Sequence, residues 1–550
     1  MRLAWPGPAV PALALVVLGL AGCAPSPDPA ARSGEAAGEA AAAQEVVFRR
    51  GNGPEPDTLD PQRAEDESSR EILRDLFEGL VGEAPDGMPV PGAAESWTVS
   101  EDGLDWIFVL REDGRWSNGD AVTAGDFVAA LRRAVDPATA STSAGLLAPL
   151  AAASEVIDGR EAPEALGVEA LDERRLLIRL RSPTPYLLGL LTHPITFPVH
   201  GPSLERHGAR FSRPGNLVSN GAYRLDSWEV HSYVQLERNP HFRQRPQIDV
   251  VRFYSFDVPE AELNRYRAGE LDFTVQVPMA RFQWLRDNIP DELHLAPALT
   301  TQFWLFNTVR APTDDLRVRK ALSMSVDRER LVETVIGFGD RPAYGLVPPG
   351  TADYTAQSFG WRELPLEQRQ ARARELLAEA GYGPGNPLRV VVHYNTNENL
   401  RRIAVAVTSM WRDALGVESS LHNEEFRVLL NRRRDPELWR ILRLSWRGDY
   451  NDASNFLEIL SVSGAVNDTG FDDPEYERLL AAAAVENDPG NRRSLLEAAE
   501  RRMLEYHPIL PLYHPVGKRL MKPWVKGFEP NVLNRTYSRH ISIDVEKRGF

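Results

Sequence analysis

The sequence predicts an α/β fold. Segments with apolar residues at helical spacing take turns with short strand-like runs, and after residue 45 neither an internal repeat nor a low-complexity linker breaks that alternation. At 550 residues the chain holds two to four domains at about 100–200 residues each. In order, Val46 to Arg49 reads as a strand, and Gly51-Asn52-Gly53-Pro54-Glu55-Pro56 as turns. A helix should begin near Ser68 or Ser69, with Ser69 able to cap it and Ile72, Leu73, Leu76, Phe77 and Leu80 facing a core. Trp106, Phe108 and Leu110 alternate with Ile107 and Val109, the pattern of a strand at least partly covered on both faces. Thr123-Ala124-Gly125-Asp126 opens a helix by capping-box logic, with Asp126 in place of Glu. A strand follows around Tyr233 to Leu236. Helices are expected over Leu316 to Val335 and over Leu366 to Ala380, the second stopped by Gly381, and then a strand over Leu388 to His393.

The N-terminus carries its own signal. Met1-Arg2-Leu3 leads into an apolar run from Val10 to Leu20 that contains Pro11 and is short of the ~20 residues of a membrane helix. Leu20-Ala21-Gly22-Cys23 closes it like a bacterial lipobox, in which the cysteine thiol accepts diacylglycerol. Residues 1–22 are therefore expected to be a lipoprotein signal peptide with Cys23 as the lipidated first residue. Residues 23–45, rich in Ala, Pro, Gly, Ser and Glu, bury too little to repay their ordering entropy and should form a flexible tether with a reach of about 25 Å.

Composition excludes several classes of function. Cys23 is the sole cysteine, so neither an intramolecular disulfide nor a multi-cysteine metal site can form. The formal net charge of −15 disfavours a nucleic-acid partner. His193, His200 and His207 recur at intervals of seven, but Pro194, Pro198, Gly201 and Pro202 forbid one helix through them; no H-E-x-x-H is present, and no metal is expected. The sequence has neither a G-x-S-x-G nucleophile elbow nor a phosphate-binding G-x-x-x-x-G-K-[ST], so the expectation is a binder and not an enzyme.

Opposite charges and aromatics gather in the C-terminal third. Arg432, Arg433, Arg434 and Arg443 precede Ser445-Trp446-Arg447-Gly448-Asp449-Tyr450-Asn451-Asp452, a mixture suited either to a zwitterionic ligand or to surface ion pairs around a core Trp. Here the chain resembles the family 5 extracellular solute-binding proteins of ABC importers, and within them the oligopeptide-binding proteins. The likeness runs over about residues 46–545. It rests on Pro56-Asp57-Thr58-Leu59-Asp60-Pro61, Asp75 to Leu80, Pro91 to Trp97, Trp116 to Asp120 with Thr123 to Val128, Ser219 to Tyr223, and Trp446 to Asn455.

The resemblance implies a two-lobed periplasmic-binding-protein clamp (type II-like) with an extra domain inserted in one lobe. Lobe I would take 46–77, 201–299 and 517–550, the insertion 78–200, and lobe II 300–516. It implies capture of oligopeptides by lobe closure and delivery to permease subunits, on the periplasmic side of the envelope, by a monomer without a cofactor. Dipeptides, murein peptides and nonpeptide solutes remain as alternatives, with a cleft hydrolase as the rival from another class. By resemblance, Asp449 pairs with the peptide's α-amino group. Glu65 is a cleft-edge acid, and Trp446 and Phe426 line side-chain pockets. Arg443, Arg310 and one of Arg433 or Arg434 meet the carboxylate. The chain departs from the enterobacterial members where Thr300 and Arg447 replace a cleft disulfide, where Leu400 replaces a carboxylate-binding histidine, and where His514-Pro515 replaces part of a tyrosine run.

Overall fold

The computed structural model describes residues 45–548 except Ser463 and Ala465, so the expectations for residues 1–44, Cys23 among them, lie outside the described residues. The first strand, Val47–Gly51, pairs in parallel with Val250–Tyr254, about two hundred residues later; Tyr233–Arg238 and Tyr223–Glu229 extend this sheet antiparallel. The intervening stretch forms its own antiparallel sheet, in the order 94–99, 105–110, 175–179, 168–170. One continuous core joins the two sheets: Phe48, Phe253 and Leu236 from the first meet Phe108 and Leu176 from the second, with Leu76 and Phe127 from the helices.

A six-stranded mixed sheet follows in the order 341–342, 509–514, 300–306, 441–447, 389–395, 418–424. Its central strand Thr300–Phe306 is apolar on both faces because both are covered. Phe303 and Leu305 pack with Leu480, Leu496 and Met503 of the helices Pro474–Val485 and Pro489–Tyr506. Trp304 and Phe306 pack with Leu322, Val407 and Trp411 of the helices Leu316–Met324 and Glu398–Leu415. The two-stranded ribbon of Leu293–Pro297 and Val516–Leu520 joins this half to the first. The chain thus crosses once through Ala298-Leu299 and returns once through Pro515.

Local chemistry fixes the element ends. Asp126 accepts from the Thr123 backbone N–H at 2.8 Å and from its hydroxyl at 3.0 Å, which fastens the start of Ala124–Val135. Gly381, at φ +89°, ends the helix Leu366–Glu379 in the left-handed region that favours glycine. Two expectations need correction. The first long helix is Glu67–Leu76 and its cap is Asp66, not Ser69: the Asp66 carboxylate accepts from the Ser69 N–H at 2.7 Å and from its hydroxyl at 2.5 Å. Leu316 to Val335 is not one helix. It breaks after Met324, restarts as Arg328–Arg330 under an Asp327 cap, and widens into a π-turn over Leu331–Ile336. At the restart the fully buried Arg328 guanidinium donates to the carbonyls of Pro511 (2.8 Å) and Ser323 (3.0 Å).

Among the described residues, no helix is long and apolar enough to cross a membrane. His193 precedes the short 3-10 turn Pro194–Thr196 and His200 caps Gly201–His207, so the three spaced histidines share no helix.

Candidate functional site

A cavity of about 260 Å³ opens where the crossing segments meet the helix Glu67–Leu76. Glu67, Arg70 and Arg74 point in from that helix, Arg447 and Asp449 from the end of the strand Ile441–Arg447, and Arg535 from the C-terminal segment. The strand end is held in place by Asn455, whose Oδ1 accepts from Trp446 Nε1 at 2.9 Å and from the Asp449 N–H at 3.2 Å. The Gly448 N–H donates to the Leu299 carbonyl at 2.8 Å, tying the Asp449 loop to the crossing segment. Tyr450 leaves the loop to stack on Tyr186, with centroids 4.5 Å apart.

The charges on the two sides differ. Arg74, which is buried, donates to Glu67 at 2.8 Å and Glu71 at 3.1 Å, and Glu71 also receives Arg50 at 2.5 Å. Burial alone would raise Glu67, but Arg74, Arg447 and Arg535 overcome it and hold the carboxylate below its ordinary range. Arg535 pairs with Glu83, which also accepts from Tyr537 Oη at 2.9 Å. Asp449 has no cation within ion-pair distance among the described residues. Burial raises its pKa, against the opposing pull of the Asn455 side chain and then of Arg70, Arg535 and Arg447. His193, on the same cavity, is pushed well below the usual histidine range by burial and by the nearby Arg70 and Arg535.

This arrangement is a solvent-facing cleft beside a two-strand crossing, with neither a nucleophile–base pair nor a metal-ligand group among its described lining residues. The model of the bacterial extracellular solute-binding proteins, family 5 Middle, matches residues 88–468. The chain belongs to this family of extracellular solute-binding proteins. The periplasmic murein peptide-binding protein MppA of Escherichia coli (strain K12) is 39% identical over 494 residues, covering 89% of this chain and 91% of that one. The periplasmic oligopeptide-binding protein OppA of the same organism is 38% identical over 510 residues, 91% of this chain and 93% of that one. In fold, the solute-binding protein superposes on the unliganded open form of MppA with a TM-score of 0.84 at 38% identity, covering 91% and 98% of the two chains. A second MppA structure gives 0.74 at the same identity, with coverage of 91% and 99%.

The other expected site residues of the solute-binding protein fall into two groups. Arg443 lies on the same strand as the Asp449 loop, half-buried, and donates to neutral acceptors: Gln302 Oε1 at 2.5 Å, Asn395 Oδ1 at 3.2 Å and Ser445 Oγ at 3.4 Å. Burial lowers its pKa. Trp446, half-buried, packs against the core under the strand. Elsewhere, Arg310 pairs with Glu437 on the surface, Arg433 pairs with Asp468 at 2.6 Å, and Arg434 is exposed at the end of the helix Phe426–Arg433. Phe426 starts that helix with 47% of its surface exposed, and Glu65 is exposed in the loop before the first long helix. Neither these five nor Arg443 and Trp446 line the cavity, so Asp449 is the one expected ligand-binding residue that does.

Thr300 and Arg447 stand opposite each other in the ladder between their strands, so the departure from a disulfide puts a hydroxyl and a guanidinium at the cavity edge. His514, buried, sits 3.0 Å from Thr301 Oγ1 through Nδ1. Sequence reasoning passed over Glu67, Arg70 and Arg535. The first two lie on the wetter side of an amphipathic helix and look like surface charge, and Arg535 reaches the cavity only because the C-terminal segment folds back beside the crossing.

Proposed function

We propose that this chain captures oligopeptides as a lipid-anchored, extracytoplasmic binding protein and hands them to the permease subunits of an ABC importer, without catalysis. One observation carries the reading: the strand Ile441–Arg447 and its following loop bear two half-buried charges of opposite sign, Arg443 and Asp449, neither with an ionic partner of its own among the described residues. They stand six positions apart, a span of at most about 22 Å, the reach of an extended peptide of a few residues. A zwitterionic peptide supplies the missing ammonium and carboxylate together. The names of the relatives, an oligopeptide-binding and a murein peptide-binding protein, support the same class of ligand.

Lobe closure is part of the same proposal, and the two crossings support it. Lobe I (46–77, 201–299, 517–550) with its insertion (78–200) and lobe II (300–516) are joined at the crossings near Ala298 and Pro515, and rotation there would bury the ligand. The anchor rests on Leu20-Ala21-Gly22-Cys23, and mass spectrometry of the native membrane fraction checks it: diacylglycerol on Cys23 is expected, and an unmodified thiol refutes it.

The peptide reading is tested by calorimetry on a double cycle. A charge pair desolvated on closure costs about 2–5 kcal/mol when one partner is removed, so Asp449→Ala should weaken a free peptide by roughly thirtyfold or more. An Nα-acetylated peptide lacks the ammonium and should bind wild type weakly, with little further loss in the variant. Additive effects would show that Asp449 does not hold the amino terminus. Recovery of the peptide intact and a smaller radius of gyration in the complex are the accompanying expectations; cleavage or an unchanged radius would refute binding without catalysis or closure.

A further inference from the structure

Away from the cavity, at the edge of the six-stranded sheet, the parallel strands Arg389–Asn395 and Glu418–Glu424 place His393 directly opposite His422. Glu424, two residues on from His422, shares its face by strand alternation. The imidazole rings meet edge to face with centroids 5.2 Å apart, and His422 Nε2 lies 3.1 Å from Glu424 Oε1. One ligand atom from each of the three residues lies within 4.8 Å of the others, and among the described residues no other group of histidine, cysteine, aspartate or glutamate does this.

Two features set this group apart from an ordinary surface cluster. His393 is only 7% exposed, yet its Nδ1 is buried without a hydrogen-bond partner, an arrangement that costs free energy in a purely structural histidine. Arg432 Nε donates to both Glu424 oxygens, at 2.9 and 2.8 Å. That contact fixes the carboxylate much as outer-shell hydrogen bonds fix a metal-ligating one, and leaves further oxygen lone pairs on its other side.

We propose that His393, His422 and Glu424 bind a divalent first-row transition ion, clipping the edge strand to its neighbour. Donors at about 2.0–2.2 Å from such an ion sit roughly 3.0–3.5 Å from one another. The contact between His422 and Glu424 already meets that spacing. The half-exposed His422 ring can rotate to draw in the rest. Two imidazoles and one carboxylate suit zinc, nickel or copper more than magnesium or calcium, and three protein ligands leave a position for water. The positive Arg432 opposes the ion, so micromolar affinity is expected rather than that of a closed structural zinc site. No signal for this group exists in the sequence, because the two histidines are brought together only by strand register.

The test is calorimetric titration of Zn²⁺ into the untagged, chelator-washed full chain, with Cys23→Ser in every protein to remove the thiol. One equivalent per chain is expected, together with a higher unfolding temperature. Both should vanish in His422→Ala, an exposed position where folding is safe, and also in Glu424→Gln. They should persist in His241→Ala, an exposed histidine outside the group. No saturable uptake, or uptake unchanged by His422→Ala, would overturn the site and leave adventitious binding only.

Discussion

On the helix side of the cavity the fully buried guanidiniums are paired through a continuous chain from Arg50 to Glu71 to Arg74 to Glu67, whereas on the strand Ile441–Arg447 and the loop after it the Arg443 guanidinium and the Asp449 carboxylate have only neutral side-chain partners. Both sides have taken charge partly out of water, which is costly unless a partner repays it. In the first case the partner is in the fold, and the charge serves the structure. In the second the partner must come from outside, and the charge marks a site. A list of charged residues near a cavity would not separate the two.

The largest effect expected from this contrast is on the paired side. Glu71→Ala removes the carboxylate that both Arg50 and Arg74 use, and both guanidiniums are almost wholly inaccessible. Breaking a buried pair in this way costs about 3–5 kcal/mol. Denaturant unfolding without peptide should show that loss. A variant as stable as wild type would mean that water reaches the network and that the two sides do not differ.

A smaller effect is expected from Arg443→Gln, and it falls on binding. Its present acceptors are neutral side chains that Gln can still engage, so stability without peptide should hold or rise. Loss of a charged hydrogen bond to the peptide carboxylate is worth about 1.5–3 kcal/mol, roughly ten- to a hundredfold in affinity. A C-terminally amidated peptide should lose most of that sensitivity. Equal losses for acid and amide would move the carboxylate site elsewhere.

The sequence carried what is local and missed what is made by distance. The Thr123 to Asp126 box, the Gly381 stop and the alternation around Trp106 are each written within a few residues, and the structure has all three. Ser69 was the expected cap, but the chain enters the helix two residues earlier and the Asp66 carboxylate takes the Ser69 N–H instead. The expected helix from Leu316 to Val335 is broken where the buried Arg328 reaches the Pro511 carbonyl of the strand Ile509–His514, nearly two hundred residues away, a contact that no local pattern shows. The same limit applies to the site. Asp449 sits within a recognisable string from Trp446 to Asn455, and that string is also the local frame that positions it. Arg535 and Glu67 share the cavity with it through tertiary folding alone, and no spacing in the sequence announces them.

The smallest expected effect is the most discriminating. Burial raises the Asp449 pKa in the folded protein without peptide, so the carboxyl binds its proton more tightly folded than unfolded. A raised acid favours the folded state fully below the unfolded value, near 3.9 for Asp, and that contribution is lost as pH rises through the folded value. At neutral pH the ionised Asp449 is therefore a net burden on the peptide-free protein. Asp449→Asn removes the burden, so the variant should unfold at a higher denaturant concentration than wild type at neutral pH, and the gap should close as pH falls below about 4. A saturating peptide should reverse the order, because the ammonium favours the carboxylate and has no charge to meet in the amide. If wild type without peptide is the more stable at neutral pH, Arg70, Arg535 and Arg447 already compensate Asp449. The strand side would then be as fully paired as the helix side, and the peptide's amino terminus would have no vacancy to fill.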